Sequence, residues 1–100
     1  MKRLAQIWVG DEPLVRPYAT AEAALKAAAG LEKDGKQIRA VFAQDRNSGI
    51  KLLAHLAWFV RSPKGEVSAF LLKGDAEAWA KANGGEVQDF AAAKASAAQS

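Results

Sequence analysis

The sequence predicts an α+β fold: a tandem ββαβ pair whose two helices pack on a mostly antiparallel sheet. Three observations predict it. Short β-prone runs and two alanine-rich helical runs follow one another in the order strand, strand, helix, strand. That order occurs once before residue 44 and once after residue 52. A shift of 52 residues lays Trp8 on Val60, Tyr18 on Phe70, Ala24 on Ala76 and Ala28 on Ala80, and removing about four residues then lays Phe42 on Phe90. The expected organisation is one domain over residues 1–90, with units at about 4–43 and 52–90 and a tail at 91–100.

Each element has a local reason. Leu4 to Val9 is β-prone, and Gly10-Asp11-Glu12-Pro13 supplies a turn. Leu14 to Tyr18 reads as an edge strand, because Pro13 and Pro17 cannot donate ladder hydrogen bonds. Thr20 is the expected N-cap of a helix with Ala21, Ala24, Leu25, Ala28 and Leu31 on one face, and Gly30 and Gly35 bracket its end. Ile38 to Ala43 is a strand, and Asp45 to Gly49 is a turn-rich loop. Leu52 to Val60 is apolar at nearly every position, which predicts one central strand covered on both faces. Ser62-Pro63-Lys64-Gly65 turns the chain into a strand over Glu66 to Leu71. A helix over about Lys73 to Ala82 ends at Asn83-Gly84-Gly85, and Val87 to Phe90 closes the series. The alanine-rich tail is expected to be disordered beyond about Lys94.

Composition removes several chemistries. Of 50 hydrophobic residues 23 are alanine, which leaves 27 larger apolar or aromatic side chains and a thin core. There is no cysteine, so disulfides, thiolate metal ligands and a thiol nucleophile are excluded. The net charge of +3 comes from interspersed charges rather than a basic stripe. Phe59, Arg61, Lys64 and Phe70 are the one candidate platform for single-stranded nucleic acid, a partner class the charge pattern disfavours. No apolar run approaches the roughly 18 residues of a membrane span. Catalysis is not indicated. Asp11 and Glu12 lie in a turn, Glu22 and Glu77 lie at helix starts, and Ser48, Ser62 and Ser68 share a single imidazole, His55, with no nucleophile-elbow spacing. His55 is expected mid-strand as a partly buried side chain. Trp58 and Trp79 are expected in the core, and Trp8 at an exposed contact.

The second half carries a resemblance. Ala57-Trp58-Phe59-Val60-Arg61-Ser62-Pro63-Lys64-Gly65, then Val67-Ser68-Ala69-Phe70, Asp75-Ala76-Glu77-Ala78-Trp79 and Gly84-Gly85-Glu86-Val87, resembles the NosL family. These are small copper(I)-binding accessory proteins of nitrous oxide reductase maturation. Ala5-Gln6-Ile7 and Phe42-Ala43-Gln44-Asp45 fit the first half more loosely. The resemblance implies a pair of ββαβ units, a Cys-Gly-Met-type motif ahead of Ala5, and methionine in the Pro-x-Gly turn. This chain has only Met1 to Leu4 before Ala5, and Lys64 stands in the turn.

Copper(I) selects thiolate and thioether ligands, with imidazole as a frequent third, and an ammonium repels it. Met1 and His55 are the only weak candidate ligands, so the expected metal and cofactor complement is none, with copper(I) the cargo if the family role is retained. The resulting expectation is a non-catalytic accessory protein working through a protein partner or self-association, with Pro63, Lys64, Gly65, Trp8 and Arg61 as interaction residues. The alternative is a copper(I) chaperone whose ligand segment lies upstream. The chain as written carries no export signal and is expected in the cytoplasm, or in the periplasm if it is a processed chain.

Overall fold

The computed structural model describes residues 5–99. The first unit comprises β1 (Ala5–Val9), β2 (Arg16–Tyr18), α1 (Ala21–Lys33) and β3 (Ile38–Gln44). An added strand, β4 (Lys51–Leu53), and one 3-10 turn (Ala54–Leu56) lead to the second unit. That unit is β5 (Trp58–Arg61), β6 (Val67–Phe70), α2 (Lys73–Asn83) and β7 (Glu86–Gln88), and α3 (Phe90–Ala98) follows.

Both units share one topology. The strand orders are β2-β1-β3-β4 and β6-β5-β7, so in each unit the first strand is central between the second and the last, all antiparallel. The expected single sheet is therefore two sheets. Helix α1 lies between them: Ala21, Ala24, Leu25 and Ala28 share one core with Ile7, Val41 and Ala43 of the first sheet and Phe59, Val67 and Ala69 of the second. Helix α2 covers the other face of the second sheet, where Ala76 packs with Val60 and Phe70. Alanine at the α1 contacts lets two sheets approach one helix closely, and this is where the thin core is spent.

Local sequence explains the ends of α1. Thr20 Oγ1 accepts from the Ala23 amide at 3.1 Å. The helix runs through Gly30, and its stop is Gly35 at φ +78°, with Gly35 N donating to Glu32 O and Lys36 N to Leu31 O. This is a Schellman motif, which requires the left-handed residue glycine adopts without penalty.

Three expectations are corrected. The apolar run Leu52 to Val60 is not one strand: the chain must leave the edge of the first sheet and enter the centre of the second. It does so in the 3-10 turn closed by Ala57 N to Ala54 O at 3.1 Å. His55 lies in that turn and is exposed, not mid-strand and partly buried. The tail is ordered as α3, because Asp89 caps it by accepting from the Ala92 amide at 2.8 Å, and Ala93 and Ala97 are buried in the shared core. Phe90 consequently begins α3 instead of ending a strand, and its alignment with Phe42 does not hold.

Candidate functional site

The β5–β6 hairpin turn presents three of the sequence-predicted residues together, Pro63, Lys64 and Gly65. Ser62 and Gly65 close the turn, with Gly65 N donating to Ser62 O at 2.9 Å and Ser62 N to Glu66 O at 2.8 Å. Gly65 has φ +88°, a conformation that excludes ordinary side chains there. Pro63 rests on the α2 terminus: a Cβ added to Gly84 would sit 3.1 Å from Pro63 Cγ. Pro63, Lys64 and Gly65 are all exposed.

Arg61 points the other way. It pairs in register with Val67 and Glu86, on the face that packs against α1. There its Nη1 donates to Glu22 Oε2 at 2.7 Å, joining the second unit to the first turn of α1. Its Nε and Nη2 are buried with no hydrogen-bond partner. The ion pair places the hairpin turn at the α1 N-terminus. The start of β1 lies at that same end, since Ala5 pairs with Tyr18 two residues before the Thr20 cap.

Trp8 and His55 are not part of this cluster. Trp8 stands on β1 in the first sheet, 38% exposed, with the Arg39 guanidinium 4.9 Å from its ring centroid. His55 lines a cleft with Glu32, Arg39, Phe90 and Lys94, at the C-terminal half of α1. Glu22 and Glu32 are ten residues apart on that helix, which is about 15 Å along the axis. His55 and the Lys64 turn therefore do not address one small ion. Met1 lies outside the described residues. Among those residues no group of three or more His, Asp or Glu is placed to hold a metal ion.

The nucleic-acid platform does not form from its expected members. Phe59 and Phe70 are each 1% exposed, so neither ring is open to a base. Trp58 and Trp79 lie at the core rim and not inside it: Lys73 approaches the Trp58 ring at 5.0 Å and Arg46 the Trp79 ring at 3.7 Å.

Sequence reasoning missed Asp45, which is 6% exposed. Its Oδ2 accepts from the Ser48 hydroxyl at 2.7 Å and the Ser48 amide at 2.8 Å, and its Oδ1 accepts from the Leu71 amide at 3.0 Å. Burial opposes its charge, but the Ser48 hydroxyl and the Leu71, Ser48 and Asn47 amides outweigh burial and hold the carboxyl below its ordinary range. The signal was the Asp-x-x-Ser spacing of an Asx turn. The group is fully engaged in joining the sheets.

No family model matches the chain, and no curated protein matches it. Among solved structures, the copper chaperone NosL from Shewanella denitrificans matches over 90% of this chain and 77% of its own, with a TM-score of 0.71 and 22% identity. The chain has the NosL fold. The resemblance read from Ala57 to Phe90 thus holds for the architecture. The β5–β6 turn and the start of β1 both lie toward the α1 N-terminus, where Lys64 is exposed and Arg61 is paired with Glu22. That donor set does not suit copper(I), which is soft and cationic. No helix among the described residues is long and apolar enough to cross a membrane.

Proposed function

We propose that this chain is a non-catalytic accessory protein that acts by protein–protein contact on a NosL-like fold, without a copper site of its own. The observation that carries the reading is the exposed Lys64 in the hairpin turn, at the position where the NosL resemblance implies methionine. A turn that presents an ammonium serves a protein contact and disfavours a cuprous ion. The Pro63-Lys64-Gly65 turn, with Pro63 against Gly84 at its base, is an exposed protrusion suited to such a contact. Native mass spectrometry with copper(I) under reducing conditions tests the reading. The wild-type chain is expected to bind no stoichiometric copper, and Lys64→Met to bind more than wild type. One tightly held ion per wild-type chain overturns it.

A second reading is favoured by one specific relationship. The Glu22–Arg61 ion pair and the Ala5–Tyr18 pairing bring the turn and the start of β1 to the same end. A ligand segment ahead of Ala5 would start from the end of the molecule that carries the turn. The same titration on a chain extended by a Cys-Gly-Met segment distinguishes the two.

A further inference from the structure

We propose that the outer face of the first sheet docks a protein partner whose surface mixes carboxylates with apolar side chains. This deepens the protein-contact reading above and rests on it. The register defines the face. Alternate residues Ile7, Val41, Ala43 and Leu52 turn inward to α1, so their neighbours turn outward. One outward row runs Pro17, Gln6, Phe42, Leu53 across all four strands. Trp8 with Ala40 forms a second row, and Gln44 with Lys51 a third. The second sheet is covered on both faces, by α1 and by α2, whereas among the described residues no helix packs on the outer face of the first sheet.

The chemistry of the face is specific. An open antiparallel face is ordinarily polar, but here Trp8 is 38% and Leu53 37% exposed. None of the eight outward residues is acidic. Two cations sit on the aromatics: outward Lys51 Nζ lies 4.3 Å from the Phe42 ring centroid, and Arg39, the extra residue of the β3 bulge opposite Trp8, lies 4.9 Å from the Trp8 ring centroid. Gln6 Oε1 is buried beside Phe42, Gln44 and Lys51 with no hydrogen-bond partner. Aromatic and arginine side chains in an acid-free surface match the composition of interface cores.

Charge complementarity selects the occupant. A second copy applied face to face opposes cations to cations with no carboxylate between them. Single-stranded nucleic acid needs open ring faces and a track of cations, whereas these rings already carry theirs and only two cations sit on them among the described residues. An acidic and apolar protein surface meets both cations and covers Trp8 and Leu53.

Photocrosslinking in the native host tests this, with p-benzoylphenylalanine placed at Trp8 in one chain and at Lys64 in another. The expected result is a heteroprotein adduct from position 8 whose crosslinked segment is rich in Asp or Glu. Its yield should fall at least five-fold when Arg39→Glu and Lys51→Glu are added, and fall no further than two-fold with Lys64→Glu. Circular dichroism of each purified variant checks that it is folded. An adduct from position 64 alone overturns the face and leaves the protein-contact reading standing. Self-adducts or nucleic-acid adducts from position 8 overturn the proposed partner. No adduct from either position overturns both readings.

Discussion

The carboxylate of Asp45 accepts a hydrogen bond from the backbone amide of Leu71 at 3.0 Å, linking the end of β3 to the residue that follows β6. The neighbouring amide repeats the link: Arg46 N donates to Ala69 O at 2.8 Å. The two units are therefore joined by hydrogen bonds as well as by the core around α1.

Asp45→Asn replaces one acceptor oxygen with an amide nitrogen that faces N–H and O–H donors. The expected loss is about 1–3 kcal/mol at neutral pH, read by urea unfolding. Because the folded carboxyl is held below its ordinary range, its contribution is complete above the unfolded value near 4 and is lost as pH falls through the folded value. The stabilities of the wild type and the Asp45→Asn variant should therefore converge in acid. A gap that stays constant to pH 2 contradicts this account.

The Glu22–Arg61 pair predicts an asymmetry between its partners. Glu22→Ala leaves a cation whose Nε and Nη2 already lack acceptors, and should cost about 1–3 kcal/mol. Arg61→Met removes those unpaired donors with the cation and leaves a partly exposed Glu22 that water can reach, so it should cost less than Glu22→Ala. Urea midpoints of the two variants decide it, and the reverse ranking refutes it.

Two glycine-to-alanine substitutions should move stability in opposite directions. At Gly30, inside α1 with open space around a new Cβ, alanine should add about 0.5–1 kcal/mol. At Gly85, with φ +118°, a new Cβ would sit 2.4 Å from Arg61 O in the neighbouring strand. Alanine there should lower thermal stability by at least about 2 kcal/mol, and thermal unfolding reads both.

Helix α3 predicts protection where the composition suggests disorder. Asp89→Ala removes the cap accepted from Ala92 N and should cost about 0.5–2 kcal/mol. Hydrogen exchange should show slowed amides from about Lys94 to Ala97 in the wild type and faster ones in the variant. Free exchange there in the wild type argues against the helix.

Much of the architecture was legible because turns and caps speak locally. Thr20, the Ser62–Gly65 turn and the Gly84 stop each lie where residue chemistry places them. The covering of Phe59 and Val60 on both faces was also legible, from an unbroken apolar run. The break at Ala54–Leu56 was not, since a chain crossing between sheets stays apolar while leaving the ladder. Helix α3 escaped because alanine packs against α1 without the contrast that periodicity needs. At the candidate site, the grouping of Arg61 with the Pro63-Lys64-Gly65 turn follows from adjacency in sequence. Its tie to Glu22, 39 residues away, and the acid-free sheet face depend on long-range register that composition does not encode.

The shared topology of the two units has a consequence of its own. Each unit is a tile with strands on one side and a helix on the other, and the tiles are laid in the same sense. The helix of the first fills the strand side of the second. A pair laid this way has unlike ends. One end is α2, whose outward Glu77 and Lys81 are solvated, as on a capping unit. The other end is a strand side left without its helix, and this half-filled socket makes the molecule directional.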